Sequence, residues 1–146
     1  MNRGHIIIVF VILIFGLFLF FVGWKSANII LDSSEVYAKG DFLEGNLVLN
    51  IEKNDFLREE TPILISLSKK NNVLAVKTLT LKEFIEVSGK EPKFVEREGF
   101  VYYTEEKYEV EVSKIINYSF NEVGEYELFF SLLELDFSVN KKINVR

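Results

Sequence analysis

The chain has no cysteine, a single histidine, and two prolines among its 146 residues. The missing cysteine excludes disulfide frameworks, thiolate metal sites and thiol catalysis. The lone histidine, His5, excludes multi-histidine metal sites and any nucleophilic triad that needs an imidazole elsewhere in the chain. Pro62 and Pro92 stand too far apart to form a proline-rich linker. There is no D-x-D-x-D-G calcium loop, no internal repeat and no heptad run. No cofactor is expected. Chemistry, if any, falls to carboxylates, lysines and tyrosines.

What is present is unevenly spread. Half of the chain is apolar (49%) and 27% is charged, but Ile6 to Trp24 holds seventeen apolar residues, Gly16 and Gly23, and no charge. Nineteen residues rising about 1.5 Å each make a helix of roughly 28 Å, close to the ~30 Å hydrocarbon core of a bilayer. All faces of such a helix are apolar, which argues against an ordinary core helix. Arg3 and Lys25 bracket the run, and Trp24 stands where an interfacial aromatic belongs. The run is longer than the ~7–15-residue apolar core of a signal peptide, and cleavage after Ala27 would place Lys25 where a small residue is wanted. A retained anchor over residues 6–24 is therefore expected, after a tail at 1–5 and before a tether at 25–35. Of 17 Lys and Arg only Arg3 precedes the run, leaving 16 against 22 Asp and Glu, a net of −6 after it. That bias favours a cytoplasmic N-terminus and a domain outside. The lipid bilayer is thus the first expected partner.

Beyond the tether, period-2 patterns dominate. Leu47, Leu49 and Ile51 alternate with Val48, Asn50 and Glu52, and Ile63, Ile65 and Leu67 alternate with Leu64 and Ser66. Ser68 to Asn72 reads as a turn leading into a returning strand, Val73–Leu79. Phe100–Thr104, Tyr108–Ser113, Tyr126–Leu133 and Asp136–Val145 read as further strands. Thr80-Leu81-Lys82-Glu83 is a capping box opening a short helix, with Leu81, Phe84, Ile85 and Val87 facing inward and Ser88-Gly89 as its stop. The expected fold is all-β: a single sandwich of roughly seven or eight strands with one short helix over residues 36–146.

Asn121-Glu122-Val123-Gly124-Glu125-Tyr126-Glu127-Leu128 resembles the penultimate-strand signature of extracytoplasmic immunoglobulin-like (Ig-like) domains, in which a corner tyrosine bonds nearby backbone. Lys141-Lys142-Ile143-Asn144-Val145 is similar to the last strand of such domains. Gly45 to Leu49 followed by Thr61 to Ile65 resembles the first hairpin of arrestin-like or Ig-like sandwiches. Arg3-Gly4 before an apolar stretch resembles the processing site of type IV pilin-like precursors, which are cut after that glycine, although Val9 stands where bacterial pilins carry glutamate. An anchor followed by an Ig-like sandwich is also the architecture of archaeal filament subunits and of stator-like envelope proteins. The resemblance implies a membrane-anchored module of an archaeal or bacterial envelope. Ig-like sandwiches host many functions, so shape follows from it more directly than role.

The candidate sites are few. Phe100, Tyr102, Tyr103 and Tyr108 cluster around a charged stretch, Thr104 to Lys107, which reads as a loop tip, so Tyr102, Tyr103 and Tyr108 are the candidate interaction surface. Asn117-Tyr118-Ser119 is a glycosylation sequon, with Asn117 as acceptor. Gly4 is the candidate processing site. Four carboxylate pairs (Asp41 and Glu44, Glu52 and Asp55, Glu59 and Glu60, Glu105 and Glu106) are candidates for acid–base work in a membrane-tethered hydrolase, or simply acidic surface. Lys69-Lys70 and Lys141-Lys142 are too few for a nucleic-acid partner on an acidic domain. The expected function is a non-enzymatic structural or protein-interaction module contacting other envelope proteins. A pilin-like or filament-associated subunit and a carboxylate hydrolase are the alternatives.

Overall fold

The computed structural model describes residues 28–135 and 137–146. The expected anchor at 6–24, the tail and Gly4 lie outside them. Among the described residues no helix is long and apolar enough to cross a membrane.

Among the described residues nine strands form two sheets. Sheet I has the order β1 (Asn28–Asp32), β3 (Asn46–Arg58), β7 (Phe100–Glu111), β6 (Phe94–Arg97), all antiparallel. Sheet II has the order β2 (Val36–Tyr37), β9 (Phe137–Val145), β8 (Gly124–Leu132), β4 (Pro62–Lys69), β5 (Asn72–Thr80), antiparallel except for the short β2–β9 pair. The alternating residues do what their period dictates. Leu47, Leu49 and Ile51 of sheet I and Ile63, Ile65 and Leu67 of sheet II are fully buried in one core, joined by Leu128, Phe130 and Leu132. Each such side chain contributes about 1.5–3 kcal/mol relative to exposure.

The strand inventory departs from the sequence reading at five places. Residues 28–32, read as tether, are β1, paired residue for residue with β3 from Asn28↔Asn50 to Asp32↔Asn46. Residues 28–32 therefore belong to the sandwich, which does not begin at 36. The two-residue β2 and the edge strand β6 are additions. Phe100–Thr104 and Tyr108–Ser113 are not separate strands but parts of β7. Finally, β3 and β4 do not form a hairpin: β3 pairs β1 and β7, and β4 pairs β5 and β8. The chain crosses between sheets at Glu59 to Thr61, where Glu59 N–H donates to the Val101 carbonyl (3.1 Å) and Thr61 is buried.

The helix, α1 (Leu81–Ser88), forms as its capping box requires. Glu83 N–H donates to Thr80 Oγ1 (3.2 Å) and Thr80 N–H to Glu83 Oε2 (2.7 Å). Gly89 closes the helix at φ 70°. Leu81, Phe84 and Ile85 are buried, and the Phe84 ring meets Phe130 edge-on at 5.9 Å. Val87, expected inward, is 37% exposed, because the stripe facing the core is only three residues wide. The helix touches β7 of one sheet and β4 and β5 of the other, so it plugs one end of the sandwich. Thr80→Ala removes the hydroxyl that accepts the Glu83 N–H, while the backbone N–H of residue 80 still donates to Glu83, and is expected to lower stability by about 1 kcal/mol, read as a reduced urea midpoint with an unchanged slope.

The corner tyrosine is in place: Tyr126 O–H donates to the Glu122 carbonyl (2.8 Å) and its ring packs on Phe120 at 5.0 Å. Lys69 Nζ sits 5.1 Å over that ring and 2.6 Å from Glu122 Oε2, which ties the β4–β5 turn to this corner.

Candidate functional site

The arrangement of the candidate tyrosines is decided by an irregularity in sheet I. β3 pairs β7 regularly up to Ile51↔Glu106 and resumes at Phe56↔Thr104. Between these points Glu52 to Asp55 bulge opposite Glu105, with Asn54 at φ 70° and Glu105 at φ 20°. On β7 the extra residue shifts the alternation by one. Tyr108 and Val110 face the core below the bulge, and Tyr103 faces it above. Tyr102 and Phe100 are thereby turned to the outer face.

That outer face is where the structure gathers a set of exposed groups. Arg58 and Val95 stand directly beside Tyr102 on the flanking strands, and Arg97 stands opposite Phe100. The Arg58 guanidinium lies 4.3 Å from the Phe100 ring centroid, and Arg97 lies 4.3 Å from that of Phe56. Arg58 Nε also donates to Glu60 Oε2 at 3.2 Å. Phe56 and Phe100 are 37% and 41% exposed. Rings and guanidiniums stacked in this way are pre-ordered, so a partner meets contact area and fixed donors with little side-chain entropy left to lose. The sequence reading found Phe100 and Tyr102 but not Phe56, Arg58, Val95 and Arg97. The available signal was the Glu98-Gly99 turn, whose positive φ values (52° and 81°) make a tight hairpin that sets Arg97 against Phe100.

Tyr103 and Tyr108, expected with Tyr102 on a surface, are core residues at 4% and 0% exposure. Tyr108 O–H accepts the Lys93 N–H (3.3 Å), and burial pushes the phenols of both residues above their usual pKa. The residues between them are not a loop tip but continuous β7. Glu106, in that stretch, accepts from Lys90 Nζ (2.6 Å) and from Lys107 N–H (3.0 Å), with Lys93 Nζ at 3.5 Å. The Lys90 hydrogen bond, then the Lys107 one, hold its carboxyl down from 4.5 to about 2. A depressed carboxylate stabilises the fold above its unfolded-state pKa and loses that contribution as pH falls through its folded value. Glu106→Gln is therefore expected to destabilise at neutral pH. The difference from the native chain should shrink below about pH 4.5 and vanish only below about pH 2, which paired acid-unfolding curves and the carboxyl-carbon NMR titration of Glu106 would show.

The other candidates are dispersed. Asn117 is exposed, beyond the 3₁₀ turn Val112–Lys114, with Tyr118 packed on Phe120 at 5.6 Å and Ser119 Oγ donating to the Gly40 carbonyl (3.3 Å). Asp41 caps a turn by accepting the Ala38 N–H (2.7 Å), Glu60 pairs with Arg58, and Glu106 with its lysines. In the Glu52 and Asp55 pair, burial and then the neighbouring Glu52 charge raise the pKa of Asp55. A surface hollow of about 160 Å³ is lined by Ser68, Lys70, Asn71, Glu125, Tyr126, Glu127 and Lys142, and so by none of the four pairs. Among the described residues no group of three or more His, Asp or Glu side chains is placed to hold a metal ion.

No family model and no curated protein sequence matches this chain. Solved structures do. A solution structure of a CARDB domain from Pyrococcus furiosus superposes with a TM-score of 0.50 at 7% identity, covering 82% of this chain and 94% of that one. A crystal structure of the same domain in complex with di-metal ions gives 0.47 at 8% identity over 82% and 91%. A β-glucosidase from Listeria innocua gives 0.43 at 11% identity, with 84% of this chain matched to 17% of that one. The fold of this chain is accordingly a β-sandwich similar to that of a CARDB domain.

Proposed function

We propose that this chain is a single-pass membrane protein whose sandwich, held outside the cytoplasmic membrane, is a non-enzymatic module that contacts or holds other envelope proteins. The observation that carries the reading is the junction between anchor and domain. An uncharged apolar run long enough to span a bilayer ends at Trp24, and only three residues separate it from the first strand. A domain tethered this closely is suited to positional work at the membrane. The domain has no histidine and no cysteine, and its carboxylates serve turns, ion pairs and surface.

The absence of cysteine makes the test clean. Asn117→Cys introduces one exposed thiol into the full chain. Labelling of intact cells by a membrane-impermeant maleimide is expected without permeabilisation; labelling only after permeabilisation would reverse the orientation. Crosslinking from the same position should then yield discrete envelope-protein adducts. A second reading, a pilin-like subunit cut after Gly4, is favoured by Arg3-Gly4. Mass spectrometry of the native protein separates the two: an intact tail supports the anchored module, and a start at His5 supports the subunit.

A further inference from the structure

The direction of β1 and the length of its lead-in bear on where the bilayer lies. Asn28 is level with Asn50 and Lys107, and β1 runs from there toward Asp32 and Asn46, away from the arginine–aromatic face. From Trp24 to Asn28 there are four residue steps, at most about 14 Å. From Lys107 to Tyr102 along β7 is five residues, about 17 Å. A membrane whose interface is at Trp24 thus lies nearer to Asn28 than the upper end of the sandwich does, and so passes beside the sandwich and not beyond its end. The composition there is distinctive for so acidic a chain. Only three arginines follow residue 27, and two of them, Arg58 and Arg97, are on this face. Among the described residues four phenylalanines are more than a third exposed, and two of them, Phe56 and Phe100, lie on it. Lower on the same outer face stand Asp32, Glu109 and Glu111, so its arginines and rings are confined to the upper part.

We infer that the outer face formed by Phe56, Arg58, Val95, Arg97, Phe100 and Tyr102 rests on the phospholipid headgroups beside the anchor. The guanidiniums donate to lipid phosphates, with Arg58 exchanging Glu60 for one, and the rings enter the interfacial layer that aromatic side chains favour. The inference rests on the membrane-anchor reading, and its test separates the two.

Trp24 is the only tryptophan, so lipid contact is readable by fluorescence. The full chain is reconstituted into vesicles of phosphatidylcholine and phosphatidylglycerol brominated at shallow acyl positions. Loss of most Trp24 emission is expected if the anchor inserts. In a Trp24→Phe background, Phe100→Trp should lose most of its emission too, whereas Val123→Trp, at the opposite end of the sandwich, should keep it. Adding Arg58→Gln and Arg97→Gln, both surface changes, should restore the emission of the Phe100→Trp reporter. A quenched Trp24 with an unquenched Phe100→Trp reporter overturns the docking and leaves the anchor, pointing to a protein as occupant of the face. Equal quenching of the Phe100→Trp and Val123→Trp reporters overturns it as well. An unquenched Trp24 removes the anchor and the docking together.

Discussion

Gly45→Ala is expected to lower stability by about 3–5 kcal/mol, which for a domain of this size is a fall of roughly 10–20 °C in Tm. Two effects combine. Gly45 has φ 134°, a conformation L-residues almost never adopt, and it costs an alanine about 1–3 kcal/mol to be held there. The space is also occupied: a Cβ would lie 2.5 Å from the Asp32 carbonyl oxygen and 2.6 Å from Ser33 Cβ. Neither neighbour yields easily. Asp32 ends β1, Ser33 is buried, and Lys141 Nζ donates to the Ser33 carbonyl from β9, binding the two sheets at this point. Gly45 itself accepts the Val112 N–H at 2.8 Å. Gly40→Ala is the matched control. Its φ is 99°, but nothing lies within 4 Å of the new Cβ, so only the conformational part should appear, about 1–2 kcal/mol. Thermal unfolding of the two variants should differ by the clash alone. Equal losses would mean that the close approach of β1 to the Gly45 turn is wrong.

The contrast between these glycines shows which parts of the fold local sequence could reveal. Ile63, Ile65 and Leu67 were legible because period-2 burial is written into four or five neighbouring residues. The Thr80 capping box and the Tyr126 corner were legible for the same reason: donor and acceptor are three or four residues apart. β1 was not. Asn28-Ile29-Ile30-Leu31-Asp32 has only three apolar residues in a row, and so short an apolar segment reads equally well as the end of a helix; its strand state comes from pairing with Asn46 to Asn50, some eighteen residues away. β6 was missed because an edge strand buries little, so Phe94 to Arg97 show no burial alternation to detect. The candidate surface was half legible. An aromatic cluster announces itself, but which of its members face outward depends on one residue of bulge.

That bulge makes the second large effect sharp, because it concerns adjacent residues of one type. Tyr103→Ala is expected to cost about 3–5 kcal/mol, the range for emptying a large aromatic site in a packed core. Tyr102→Ala should cost no more than about 1 kcal/mol, as a partly exposed position on a sheet surface. Tyr103 is directly opposite Leu57, itself buried, and closes the core where α1 enters between the sheets. Tyr102 is flanked by Arg58 and Val95, with solvent above it. Had β7 kept the alternation that Tyr108 and Val110 begin, Tyr102 and Phe100 would face the core and Tyr103 would be outside. The ranking of the two variants in urea unfolding therefore reports the bulge at Glu105 directly. A larger loss for Tyr102→Ala would return Phe100 and Tyr102 to the interior and dissolve the arginine–aromatic face. With the expected ranking, Tyr102→Ala becomes the mild variant of choice for binding work, since it alters that face while leaving the core beneath it intact.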